Sequence, residues 1–588
     1  MKQSYYENQA ESTAKTIQQY KKDSQLFTTK RTLAFILLVL TVGAAYDFGN
    51  SWILLLAIFI FAYFFYLIKA HSQLHDHLLY EENKLQVINR YLGRFNGDWK
   101  KYPDGGEDFM SRNIPQDTDL NILGPNSLFQ YCSVARTEAG RKRLSQRLQP
   151  DPVAIDEVIS RQKETKFFLD HPAESIHLQS LSQPIPLNHS MQKLLDYISD
   201  RQGDYPKTIT KVSILLPVLS LAMLILAVID IIPSELPLLL FSLQLGLALL
   251  MLGKNSNHIT PLYKLNKELV HYYQLLSALE EILPEKIGQL DPTEIKSSLA
   301  PIKKLGLLCM LAELRHNFIL LFLLNFLLLW DIHVVNLFIN WQKKYGEQLQ
   351  HWLSIWHETE VSLSLATIGQ SRENAIMPLL LNVDTPRIEA EELENILIEE
   401  GKSIANSLTL VPSLNVITGS NMSGKTTWLR TLASACILTY AGAPVVAQRF
   451  ALSPMKILTS IRVNDDLSDG ISTFYAELTR LKAMIEETKK GTPILAVIDE
   501  IFKGTNSADR IICAQTALIH LAKAKVITLV STHDFELCHL KPNNEIPVNN
   551  YHFQEHYQED KILFDYKIKN GPCETTNAQY LLKMVGIE

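Results

Sequence analysis

Gly419-Ser420-Asn421-Met422-Ser423-Gly424-Lys425-Thr426-Thr427 is the stretch on which the reading of this chain turns. It fits the pattern G-x-x-x-x-G-K-[ST] without a mismatch. The β-branched run Leu414-Asn415-Val416-Ile417-Thr418 precedes it and predicts a buried strand, and Trp428 to Ala435 follows and predicts a helix. A strand that turns through glycine into a helix aims backbone N–H groups and the positive helix end at one point, which suits a phosphate chain. An ordinary glycine-containing loop shares the pattern but rarely both flanks. The expected ligand is ATP, held by residues 419–427. Lys425 would reach its β- and γ-phosphates, and the Thr426 hydroxyl would ligate Mg²⁺.

Two further segments carry chemistry. Pro493 to Glu500 is an apolar strand ending in two carboxylates. Asp499 is the expected second Mg²⁺ ligand, and Glu500 the group that polarises the attacking water. A polar turn, Gly504 to Asp509, comes next. Then Val526 to Ser531 predicts another strand, with His533 just past its end. In an α/β sheet that position faces the ligand crevice, where His533 could hydrogen-bond a γ-phosphate. The order of loop, Asp-Glu, polar turn and His describes an ATPase of the ABC type. Such ATPases act as head-to-tail dimers, in which a Ser at a helix N-terminus completes the partner's nucleotide site. Ser472, followed by Thr473 and Glu477, suits that role in trans, although the transporter form LSGGQ is absent.

The details resemble the MutS family of DNA mismatch-repair ATPases. The resemblance rests on Ile404-Ala405-Asn406, Asn421-Met422, Asp465-Asp466-Leu467 with Gly470 to Phe474, Asp499-Glu500 with Gly504-Thr505, and Ser531-Thr532-His533. Ser420 and Ser423 depart from the family's usual Pro and Gly. Upstream, Asp119-Leu120, Ser127-Leu128-Phe129, Thr137 to Leu144 and Ile155 to Gln162 resemble the start of the family's core, or lever, domain. The resemblance implies an active ATPase that uses ATP and Mg²⁺, a homodimer, and DNA as partner. The family's mismatch reader carries a Phe-x-Glu wedge ahead of this core. Here Phe553-Gln554-Glu555 falls after the ATPase strands instead, and the expectation is a variant without that reader domain.

Apolar runs set this chain apart from the rest of that pattern. Leu33–Tyr46 and Trp52–Ile68 flank a short turn, and Val212–Ile229 and Leu236–Gly253 repeat the arrangement. A membrane-spanning helix needs roughly 17–25 apolar residues, and these runs carry almost no polar face. Lys21, Lys22, Lys30, Arg31 and Lys69 flank the first pair, Lys207, Lys211 and Lys254 the second, while both turns are acidic and free of Lys and Arg. The positive-inside rule then sends both turns outward and leaves the ATPase in the cytoplasm, in a multi-pass protein of the cytoplasmic (inner) membrane. Phe318 to Trp330 is too short to span and carries Asn325, so a buried helix is expected there.

Charge is nearly balanced, with 56 Lys and Arg against 62 Asp and Glu, which gives no sign of an extended nucleic-acid surface. The six cysteines are scattered and predict reduced thiols rather than disulfides or a zinc site. The first 30 residues are too polar for a signal peptide. The expected architecture is multidomain: a cytoplasmic segment 1–31, a transmembrane hairpin 32–69, a helical core 70–207, a second hairpin 208–254, a helical core and lever 255–400, and an α/β P-loop ATPase domain of ABC type over 401–588. The expected function is ATP hydrolysis that moves helical levers, on DNA by resemblance. An ABC-type motor for membrane transport or remodelling without DNA is the alternative, and a slow membrane switch or scaffold is a third reading.

Overall fold

The computed structural model describes residues 2–111, 113–187, 191–199, 206–462, 473–502, 507–541, 546–558 and 561–573. The chain forms two compact units. One comprises Met1–Val134, Arg141–Ser180 and Val361–Glu588, the other Ala135–Gly140 and Leu181–Glu360.

In the first unit, helices α1 (Lys2–Phe48) and α2 (Ser51–Phe95) form a hairpin. The reversal is encoded locally. Gly49 takes a φ of 60°, a left-handed conformation that glycine adopts without steric cost, and Asn50 caps α2 by accepting from Trp52 N at 2.9 Å. The polar ends are anchored within the unit. Tyr6 stacks on Tyr91 with ring centroids 4.6 Å apart, Tyr91 donates to Gln370 at 2.6 Å, and Lys2 Nζ donates to the carbonyls of Gly369 and Arg372. Toward the turn the character inverts, and Leu33, Leu40, Leu54 and Phe59 are each more than half exposed.

The second unit contains a hairpin of α3 (Lys207–Val228) and α4 (Glu235–Ile282), then α5 (Pro292–Glu313), α6 (Phe318–Leu328) and the first part of α7 (Trp330–Gln370). Between α3 and α4 the buried Gln244 amide donates to Ser220 Oγ, the pairing that polar side chains adopt between apolar helices. In all four hairpin helices only 6% to 22% of the most apolar window is buried, the reverse of a core helix. By length and composition these four helices can cross a membrane.

The buried helix expected from Phe318 needs correction. Phe318 and Ile319 are 71% and 75% exposed, and the one buried residue of α6 is Asn325. Asn317 starts a new helix by accepting from the N–H groups of Ile319 and Leu320. That start bends the chain by 110° relative to α5, and the new helical register turns Asn325 inward and the large apolar side chains outward.

The α/β part of the first unit is built on a six-stranded sheet in the order β12-β11-β5-β10-β9-β8. Its strands are β5 (Ser413–Thr418), β8 (Lys456–Ser460), β9 (Ile494–Asp499), β10 (Val526–Ser531), β11 (Val548–Gln558) and β12 (Lys561–Asn570), all parallel to their neighbours except the antiparallel β11–β12 pair. Every residue of β5, β9 and β10 is buried, as expected of parallel strands covered on both faces. The covering helices include α8 (Lys425–Ala441), α9 (Thr473–Thr488) and α10 (Ser507–Leu521).

Two smaller sheets show that this part starts well before residue 401, the boundary expected from sequence. β1 (Ala375–Ile376) pairs with β6 (Val445–Val446), and β2 (Leu379–Leu380), β3 (Ile388–Leu393), β4 (Asn406–Leu410) and β7 (Arg449–Leu452) form a four-stranded sheet ordered β2-β7-β3-β4. The upstream stretch is also divided. Residues 70–134 and 141–180 join the α/β part in one unit, while 135–140 and 181–199 fall in the other. The joining contacts are side-chain to backbone bonds such as Gln116 Nε2 to Ile457 O at 2.9 Å and Arg161 Nη1 to Tyr440 O at 2.8 Å.

Within the second unit Glu360 is buried and accepts from the backbone N–H groups of Arg136 (2.9 Å) and Thr137 (3.3 Å) and from the Thr137 hydroxyl. Burial pushes its carboxyl up to about 7, against these three hydrogen bonds, which hold it down. A raised acid favours the folded state while protonated, so its contribution is present below the ordinary value of 4.5 and is lost as pH rises through about 7. Glu360→Gln should remove that part of the pH dependence. Denaturant midpoints at pH 5 and pH 7.5 should differ less in the variant than in the native chain, and equal differences would overturn the assignment.

Candidate functional site

The geometry begins with strand register. Ser531 of β10 lies level with Ile417 of β5 and with Asp499 of β9, so three buried strands end on one rung. Whatever follows them meets at a single edge. After β5 comes the loop 419–424, after β9 Glu500, and after β10 Thr532 and His533.

The loop is shaped by its two glycines. Gly419 has a φ of +145° and Gly424 of +107°. A Cβ on Gly419 would come within 2.6 Å of the Phe553 carbonyl, and one on Gly424 within 3.1 Å of the Tyr566 ring. Met422 also has a positive φ, 69°, and is 85% exposed. Ser420 donates to Glu555 of β11 at 2.5 Å, and Ser423 is buried beneath the loop. Lys425 opens α8 and is buried, with Nζ donating to the carbonyls of Gly419 and Ser420, both at 2.8 Å. Burial lowers the pKa of this ammonium, and the nearby Glu500 and Asp499 carboxylates oppose the shift.

One residue on, the Thr426 hydroxyl donates to Asp499 Oδ2 at 2.8 Å, and Asp499 Oδ1 accepts from the Ser531 hydroxyl. The Glu500 N–H reaches both the carbonyl (3.1 Å) and the hydroxyl (3.2 Å) of Ser531. His533 Nε2 lies 2.9 Å from Asn421 Oδ1 and 3.4 Å from Glu500 Oε1. The structure thus brings Asn421, Lys425, Thr426, Asp499, Glu500 and His533 together. Thr427 lines a cavity of about 320 Å³ together with Ile404, Asn406, Gly424, Phe553 and Tyr566. Ser472 lies outside the described residues.

Among the described residues no group of three or more His, Cys, Asp or Glu side chains could hold a metal. The Thr426–Asp499 pair nevertheless suits Mg²⁺. It offers two hard oxygens at the loop, and this ion commonly takes only one or two protein ligands and completes its shell with phosphate and water. Phosphate-binding donors, a metal-competent oxygen pair and a carboxylate beside a histidine together can bind a nucleoside triphosphate and activate a water at its end.

Several contributors carry no sequence signal of their own: Ser531 stands within a motif with no role assigned to it, and Glu555 within a Phe-x-Glu after the ATPase strands. Both act through strand pairing, which no local signal reveals. Asn406 ties β4 to β12 by donating to Tyr566 O at 2.9 Å and accepting from Ile568 N at 2.8 Å, and so shapes one wall of the cavity. Asp119 is named in the upstream resemblance, but its structural role has no sequence signal. Fully buried, it accepts from Thr459 Oγ1 (2.7 Å), Ile461 N (3.1 Å), Arg462 N (2.9 Å) and Arg480 Nη1 (2.9 Å). Its own carbonyl accepts from Arg430 of α8 at 2.8 Å.

Residues 415–587 match the family model of MutS domain V.

Asp119→Ala should leave the Arg480 guanidinium and two backbone N–H groups without their acceptor. Removing one partner of a buried ion pair costs about 3–5 kcal/mol, so the denaturant midpoint of the full chain should fall markedly. An unchanged midpoint would mean that Asp119 does not hold these elements together.

Proposed function

We propose that this chain is a membrane-anchored ATPase of the MutS family that binds and hydrolyses ATP with Mg²⁺ at residues 419–427. The observation that carries the reading is the 2.8 Å contact between Thr426 and Asp499 beside Glu500 and His533. A hydroxyl at the start of the loop helix and a carboxylate at a strand end form the Mg²⁺ seat of P-loop nucleotidases.

With nucleotide bound, Lys425 exchanges the carbonyls of Gly419 and Ser420 for β- and γ-phosphate oxygens. The backbone N–H groups of Gly419 to Thr427 cradle the phosphates, and the nucleoside extends toward the cavity beside Tyr566. Thr426 and Asp499 would hold Mg²⁺, which would supply neutralisation of charge building on the phosphates. Glu500 accepts the proton of a water that attacks the γ-phosphorus, whose bond to the leaving ADP oxygen breaks in line. His533 donates to a γ-phosphate oxygen, and Asn421 and Glu500 set its ring orientation. Ser472 of a second copy completes the site, so hydrolysis is coupled to a dimer and to movement of the helical segments 70–207 and 255–400.

The hairpins 32–69 and 208–254 anchor the chain in a cytoplasmic membrane, with basic flanks inside. DNA as the load follows from the family alone, because the net charge of −6 offers it no electrostatic help. The apolar hairpins favour the alternative, a motor for transport or remodelling at the membrane without DNA.

Lys425→Ala should abolish binding of a fluorescent ATP analogue to the full chain in detergent. Glu500→Gln should keep that binding but lower kcat by about 10²–10⁴-fold, and wild-type turnover in this variant would remove Glu500 from the mechanism. Duplex DNA should stimulate hydrolysis at low salt and lose this effect steeply as salt rises. Indifference to DNA at every salt concentration would favour the membrane motor.

A further inference from the structure

We infer that α6 is a re-entrant membrane element, a helix whose apolar face lies in the hydrocarbon layer beside α3 and α4 without crossing it. The inference rests on the proposal that the α3–α4 hairpin spans the membrane.

The hairpin supplies a depth scale. Gln244 of α4 and Ser220 of α3 share one level through their hydrogen bond. Phe241 lies on the turn side of Gln244, and Ser213 lies about 10 Å from Ser220 toward the basic end of α3, at 1.5 Å per residue. Phe326 of α6 packs on Phe241 with ring centroids 5.1 Å apart, and His333 Nε2 lies 3.0 Å from Ser213 O at the start of α7. The chain therefore reaches the middle of the apolar stretch at Phe326 and is back near its basic end by His333. That is a dip of about 15 Å, half of a roughly 30 Å hydrocarbon core.

The outward side chains match such a placement. Phe318 and Ile319 are the most exposed large apolar residues of α6, and Leu323 and Leu328 are 48% and 44% exposed. Leu307 and Met310 on α5, with Leu314 just past its end, continue an exposed apolar stripe at helical spacing toward the bend. No hairpin window is more than 22% buried, so α6 continues a surface that already requires lipid.

The polar atoms argue the same way. A helix break at membrane depth is tolerated only where the protein itself satisfies the freed backbone groups. Here α6 ends at Leu329, which takes a φ of 50°, and the buried Asn325 serves the break. Its side-chain Oδ1 accepts from Asp331 N at 3.1 Å, and its Nδ2 donates to Leu321 O at 2.9 Å. Asp331 pairs with Arg315 at 3.4 Å, with both side chains largely shielded. A helix facing water needs none of this internal satisfaction. It would also not turn its single polar residue inward and Phe318 outward.

The test needs no variant. The full chain is reconstituted in liposomes containing a phospholipid with a diazirine at mid-acyl depth, irradiated and digested, and lipid adducts are mapped by mass spectrometry. Adducts are expected in 318–328 as well as in 212–229 and 236–253. Adducts in both hairpin helices but none in 318–328 would overturn the inference and leave the spanning reading intact. Their absence from the hairpin helices too would sink both.

Discussion

The site depends on one constraint, the shared rung of β5, β10 and β9. Because these strands are parallel and buried on both faces, a slip of one residue would turn every side chain to the wrong face. In the register adopted, Ile417, Ser531 and Asp499 lie side by side. Ser531 then becomes a bridge, giving its hydroxyl hydrogen to Asp499 and accepting from the Glu500 N–H. Thr426 can reach Asp499 because the loop begins where the carboxylate-bearing strand ends. Hydrophobic pairing thus sets the polar geometry at the strand ends.

How much of this was legible in the sequence follows from which interactions are local. The strand, glycine loop and helix around 419–427 are encoded within a short stretch, so pattern alone sufficed. Asp499, Glu500 and His533 were legible because each sits just past an apolar run whose direction in a parallel sheet is fixed. Ser531 and Glu555 were not, since their contacts arise between strands distant in sequence. The two-residue strands β1 and β2 are too short to show any period. Asp119 was visible only as part of a resemblance; an acidic residue in a polar stretch carries no mark of burial. The exposure of α6 was equally hidden, because apolarity is the same in a core and in lipid, and only packing tells which solvent a helix meets.

Asp119 explains why the upstream segment cannot be treated as a separate helical arm. Its carboxylate is saturated by Thr459 Oγ1, two backbone N–H groups just after β8 and Arg480 on α9, and its carbonyl is bonded by Arg430 on α8. A single buried residue thereby fixes the loop helix, a sheet edge and α9 to the chain that leads back to α2. A buried carboxylate is costly unless every lone pair finds a donor, and here four donors meet it. Saturated in this way, the junction resists displacement of any one of these elements.

That stiffness gives α9 a special position. At one point Arg480 holds Asp119, and one helical turn away Glu477 accepts from Phe502 N at 2.6 Å. Phe502 follows the carboxylates, and both Glu500 and Phe502 have left-handed backbones, with φ of 53° and 61°. Such conformations cost of the order of 1–3 kcal/mol each and persist only when neighbours impose them. Glu477 is one of those neighbours, Ser531 the other. Any displacement of α9 therefore acts directly on the backbone that carries Glu500. The same displacement pulls on Asp119 and, through Arg430, on the loop helix. A change at the start of α9 would reach the loop 419–424 and Glu500 by two short chains of hydrogen bonds. Coupling between the loop 419–424 and Glu500 then needs no long path, only the rigidity of one helix.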